Sequence, residues 1–101
     1  LVGSLMQNMD SSPTLTPTLS AARVLIVEDD PMMQLGLEQT LSDYSQLSIV
    51  GQASDGYMAV EMAQQLQPDI VVMDIGLPRQ DGIAATQQIK AALPTVRIVM
   101  L

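Results

Sequence analysis

From Arg23 onward the chain alternates between two kinds of segment. Continuous apolar runs, RVLIV at 23–27, IVVM at 70–73 and VRIVML at 96–101, have the character of strands buried on both faces. LSIVGQA at 47–53 is a fourth, more polar strand. Helical spacing fills the intervals. Asp30-Pro31 supplies an N-cap followed by proline at the first helical position, and Met33, Leu37, Leu41 and Tyr44 then form one stripe. Asp55-Gly56 opens a second helix with Ala59, Val60, Ala63 and Leu66 on one side, which stops before Pro68. Asp81 is expected to cap a third helix carrying Ile83, Thr86, Ile89 and Leu93, with Pro94 ending it. The order βαβαβαβ, with continuous rather than alternating strands, predicts an α/β fold: a parallel sheet covered by helices on both faces and joined by right-handed crossovers. Residues 1–22 hold one charge, two Pro and many Ser and Thr, so they are expected to be a flexible leader before one domain at 23–101.

Composition narrows the chemistry. At 101 residues the chain suffices for one small domain, and 48% apolar residues can fill a core. Two Tyr are the only aromatics, so that core must be aliphatic, with eight Met adapting to irregular gaps. Eleven acidic residues against four basic ones give a net charge of −7, which disfavours nucleic acid or an anionic membrane as a direct partner. The same balance suits a cation. Without Cys or His, thiolate nucleophiles, disulfides, Ser-His pairs, imidazole metal sites and phosphohistidine on this chain are excluded. No apolar run reaches membrane-spanning length, and a cytoplasmic location is expected.

The candidate site lies where strands end. Ligands of open parallel sheets bind beyond the carboxyl ends of the strands, near the point where strand order reverses. The first strand runs into Glu28-Asp29-Asp30 and the third into Asp74. If the two are neighbours, their carboxylates converge, repel and raise one another's pKa unless a cation neutralises them. Hard oxygen ligands partly open to water suit Mg²⁺, which often shares its shell with a phosphate. A carboxylate held beside Mg²⁺ could itself accept a phosphoryl group. Other acids have ordinary duties: Asp30, Asp55 and Asp81 read as helix caps and Asp69 as a loop residue. Asp74 ends an apolar strand with no cap to make, so Glu28, Asp29 and Asp74 are the functional candidates.

VLIVEDDPMM, ASDGYMAVEMA, PDIVVMDIGLPRQDGI and VRIVML, in this order and spacing, resemble the receiver domain of bacterial two-component response regulators. The branch it most resembles places the receiver before a helix-turn-helix DNA-binding domain. The resemblance implies a flavodoxin-like doubly wound sheet of order 2-1-3-4, with Asp74 as phosphoacceptor. Asp29 would ligate Mg²⁺ directly, Glu28 through water, and Gly76 through its backbone carbonyl, while Pro78 and Gly82 would shape the following loop. It also implies a sensor histidine kinase as phosphoryl donor, and DNA reached only through an output domain. Family members carry a Ser or Thr after the fourth strand, a Lys ending a fifth strand, and two further helices. The sequence stops at Leu101 and its only Lys is Lys90, so a receiver lacking these parts is expected, with 96–101 as an open edge for homodimerisation or strand exchange.

Two other functions compete. A Mg²⁺-dependent phosphotransferase with an aspartyl-phosphate intermediate would commonly carry a second Asp two residues past the nucleophile, where this chain has Gly76. A receiver-like interaction scaffold that no longer switches would follow if the full protein also lacked the Ser/Thr and Lys.

Overall fold

A computed structural model of the chain describes residues 21–74, 77 and 79–101. The expected leader therefore lies outside the described residues, apart from Ala21 and Ala22. The elements are β1 (Ala22–Val27), α1 (Pro31–Ser42), β2 (Leu47–Ala53), α2 (Gly56–Leu66), β3 (Ile70–Met73), α3 (Arg79–Ala92) and β4 (Arg97–Met100). The strands form one sheet in the order β2-β1-β3-β4, and every pairing is parallel. The parallel pairing is what continuous apolar strands joined by helical crossovers predict, and the order is the 2-1-3-4 that the resemblance implied.

Alternation along each strand divides the core between the two faces of the sheet. Leu25, Val27, Val71 and Met73 point to one side, where Ala59 and Ala63 of α2 and Ala85 and Ile89 of α3 close over them. Val24, Ile26 and Val72 point to the other, against Leu37 and Leu41 of α1. β1, with neighbours on both edges and both faces, is the most deeply buried element: Leu25, Ile26 and Val27 are fully inside. Burying side chains of this size contributes about 1.5–3 kcal/mol each relative to exposure.

Capping follows the sequence at two of three helices. Asp30 accepts from the Met32 N–H at 3.0 Å, and Asp55 accepts from the Met58 N–H at 2.8 Å. α2 ends on Gln67 in the left-handed region (φ 50°), whose N–H reaches the Ala63 carbonyl. The Arg23 guanidinium then takes the freed carbonyls of Leu66 (2.6 Å) and Gln67 (2.9 Å), tying the start of β1 to the end of α2.

Four expectations need correction. Asp81 does not cap α3, because the helix already starts at Arg79 and Asp81 is its third residue. Between β3 and α3, the Leu77 N–H donates to the Asp74 carbonyl at 3.2 Å and the Leu77 side chain is buried in the core. Gly82, expected in the loop, is a buried residue of that helix. The α3 stripe holds at Ile89 and Leu93 but not at Ile83, which is exposed while the small residues Gly82 and Ala85 face inward and allow close approach to α2 and Met73. On α1, Leu37 and Leu41 pack as expected, but Met33 is exposed and Tyr44 lies beyond the helix, also exposed.

Between β1 and β2 the register shifts after Val24, which pairs with Ile49 while Leu25 pairs with Gly51, leaving Val50 as an extra residue. A Cβ on Gly51 would lie 2.7 Å from Met62 Cε and 2.8 Å from Leu66 Cδ1, so glycine lets α2 sit this close to the sheet. Among the described residues, β2 and β4 form the sheet's edges, and Val99, Met100 and Leu101 are about half exposed. No described helix is long and apolar enough to cross a membrane.

Candidate functional site

β1 and β3 lie side by side with Val27 opposite Met73, so the residues after them, Glu28 and Asp74, leave the sheet at the same level. The ladder continues through both: the Glu28 N–H donates to the Ala53 carbonyl at 2.9 Å, and the Asp74 N–H donates to the Val27 carbonyl at 3.0 Å. Each carboxylate is therefore rooted in a backbone position fixed by a neighbouring strand. Asp29 follows on the short connection to α1.

Glu28, Asp29 and Asp74 offer ligand oxygens that all lie within 4.8 Å of one another. The three differ in exposure: Glu28 is buried, at 1% exposed, Asp74 is intermediate, and Asp29 stands in solvent. Asp30 remains apart as the α1 cap, although its N–H donates to Glu28 Oε2 at 3.0 Å. Gly76 lies outside the described residues, as does Pro78.

Electrostatics single out Glu28. Burial pushes its carboxyl above the ordinary value, and Asp74 and Asp29 alongside push in the same direction, while the hydrogen bond from the Asp30 N–H opposes them. Its second oxygen, Oε1, is buried with no hydrogen-bond partner among the described residues. A buried acceptor left without a donor costs on the order of 1–3 kcal/mol, more when charged. A cation would relieve both penalties. Three clustered carboxylates, hard donors in a partly solvated setting, fit Mg²⁺ in donor type and number, and Glu28, Asp29 and Asp74 would hold the ion.

Beside this cluster an open cavity of about 490 Å³ is lined by Asp74, Leu77, Gly82, Ile83, Thr86, Gln87 and Met100. Its wall is apolar except at Asp74, Thr86 and Gln87, so the Asp74 carboxylate sits between an acidic cluster and a greasy recess. One residue of this region carried no signal in the sequence. Gln34, a polar position within the first turns of α1, reaches back to the strand ends with its side-chain amide. Nothing in residue type or spacing marks such a contact beforehand, because it depends on how α1 lies over the sheet.

A family model described as the response regulator receiver domain matches residues 24–101. The response regulator protein VraR of Staphylococcus saprophyticus is 39% identical over 79 residues, covering 78% of this chain and 38% of that protein. VraR of Staphylococcus aureus is 38% identical over the same span. The chain thus spans about two-fifths of the length of the curated relatives it matches. Among solved structures, the response regulator domain of Thermotoga maritima CheB superposes with a TM-score of 0.72 at 38% identity, covering 79% of this chain and 59% of that one. A LuxR-family two-component response regulator from Aurantimonas sp. SI85-9A1 gives a TM-score of 0.74 at 33% identity, covering 80% and 58%.

Proposed function

The chain belongs to the response regulator receiver domain family, and on that footing we propose that it accepts a phosphoryl group on Asp74 in a two-component phosphorelay. The observation that carries this reading is the convergence of Glu28, Asp29 and Asp74 within 4.8 Å at the ends of adjacent parallel strands. With no histidine of its own, the chain takes the group from a phosphohistidine on a partner sensor kinase. An Asp74 carboxylate oxygen attacks the phosphorus, the P–N bond breaks, the imidazole leaves with the electron pair and picks up a proton, and an acyl phosphate forms on Asp74. Bound Mg²⁺ would offset the charge gathering on the phosphoryl oxygens.

The chain's own residues divide the remaining work. The Val27 carbonyl and the Leu77 N–H hold the Asp74 backbone, so its carboxylate is presented from a fixed post. Glu28 is held by the Asp30 N–H and contributes a ligand oxygen to the cluster. Asp29, exposed, supplies a ligand atom without the burial penalty Glu28 bears. The output is transcriptional, through a DNA-binding domain outside residues 1–101, in keeping with a LuxR-family response regulator among the similar structures.

Incubation of the protein with Mg²⁺ and a small acyl phosphate, followed by mass spectrometric mapping, tests the acceptor. One phosphoryl adduct on Asp74, absent from Asp74→Asn, is expected. An adduct on another residue, or none in a sample shown to be folded, would overturn the assignment.

A further inference from the structure

We infer that Gln34 is a positioning residue for the metal site, acting through the backbone rather than by touching the ion. The inference rests on the proposed cation site and adds a component to it. Gln34 Nε2 donates to the Glu28 carbonyl at 2.6 Å and to the Ala53 carbonyl at 3.3 Å. Both partners are carbonyl oxygens, so only the nitrogen end of the amide fits there, whichever way the side chain is first drawn.

The Glu28 carbonyl is the lever. A peptide unit is planar, so the Glu28 oxygen lies in one rigid plane with the Glu28 Cα, the Asp29 nitrogen and the Asp29 Cα. A donor that fixes that oxygen fixes the plane, and with it the points from which both the Glu28 and Asp29 side chains depart. Two of the three carboxylates in the cluster are therefore aimed by one hydrogen bond. β2 ends at Ala53, whose carbonyl already receives the Glu28 N–H, so the ladder has no further strand residue to orient the next peptide. Gln34 extends that ladder with a side chain.

The geometry closes on itself. Asp30 caps α1 through the Met32 N–H, and the Gln34 N–H donates to the Asp30 carbonyl at 2.9 Å. Gln34 is thus held by the same cap that follows the ligand-bearing turn, and its side chain returns across that turn to Glu28. The Asp30 N–H fixes the Glu28 side chain while Gln34 fixes its backbone. Outer contacts of this kind, which orient a ligand without binding the ion, typically change metal affinity by about 10–100-fold when removed.

The test is a Mg²⁺ titration of the full chain, followed by the backbone amide NMR signals of Glu28, Asp29 and Asp74, beside metal-free melting curves. Gln34→Met keeps the length of the side chain without the donor, and Gln34→Lys returns a donor. Gln34→Met is expected to weaken Mg²⁺ binding by about tenfold or more while remaining folded without metal, and Gln34→Lys to recover most of the loss. A purely structural role would lower the melting temperature without that recovery of affinity. Gln34→Met binding Mg²⁺ like the parent, or Gln34→Lys no better than Gln34→Met, would overturn the inference and leave the proposed function standing. A parent that binds no Mg²⁺ would overturn both. Should Gln34→Met fail to fold, the parent decides: a Gln34 side-chain amide proton shifted downfield and protected from exchange supports the contact, and two protons with free-amide shifts refute it.

Discussion

Replacing Glu28 by Gln should stabilise the metal-free protein at neutral pH and abolish its response to Mg²⁺. The cluster's ligand atoms lie within 4.8 Å of one another. At that separation two unit charges repel by about 3.5 kcal/mol in an effective dielectric of about 20. Much of this is not recoverable, because Asp29 is exposed and screened by solvent. Glutamine keeps an oxygen for the Asp30 N–H and removes the charge from this buried position. A net gain of about 1–2 kcal/mol follows, or roughly 5–10 °C in melting temperature for a domain of this size. Melting curves by circular dichroism, in EDTA and in millimolar Mg²⁺, measure it. The parent should rise in Mg²⁺ by mass action and the variant should not, so the two curves change order. A Gln variant no more stable than the parent in EDTA, or one that Mg²⁺ stabilises equally, would refute the electrostatic account of the cluster.

The same carboxyl sets a pH dependence. Its folded pKa lies above the ordinary 4.5, so the folded state binds more protons between the two values, and metal-free stability should fall as pH rises from about 4.5 through the raised value; pH-dependent melts of the parent should show this slope and those of Glu28→Gln should lose it. Asp29→Asn should fold normally but lose the Mg²⁺-dependent rise in melting temperature, and a response equal to the parent's would remove Asp29 from the ligand set. Gly51→Ala should cost about 1 kcal/mol and Gly51→Val about 1–3, read by urea denaturation, because the new Cβ meets only the mobile ends of Met62 and Leu66.

How far the sequence carries depends on which interactions are local. β2 and β3 fall where their apolar runs lie, and Asp30 and Asp55 cap their helices, because each signal needs only neighbouring residues. Strand order needed more than local pattern: only the resemblance implied 2-1-3-4, and with it came the meeting of Glu28, Asp29 and Asp74. Failures occur where tertiary packing outweighs periodicity. Ile83 is larger and more apolar than Gly82 or Ala85, yet the small residues face inward, because α3 lies close to α2 and to Met73. Met33 belongs to the first turns of α1, which start beyond the end of β1 where little sheet remains to cover. Arg23 opens the RVLIV run, and its work as a cap on α2 depends on a residue 43 positions away. Gln34 was silent for the same reason.

These features give the site a graded construction. Glu28 is almost wholly buried, Asp74 partly, Asp29 hardly at all, and the order matches what each would do. The buried carboxyl is the one whose ionisation the fold resists, so binding a cation there returns free energy that the metal-free state lacks, and affinity is coupled to stability. The exposed one can exchange water for metal without rearranging the core. Asp74 stands between them, rooted in the ladder through its N–H but with its carboxylate open toward the cavity beside α3. A nucleophile needs both conditions: a fixed origin, which the strand provides, and an unobstructed approach for the donor, which full burial would deny. An apolar strand ending in a half-exposed aspartate satisfies them together.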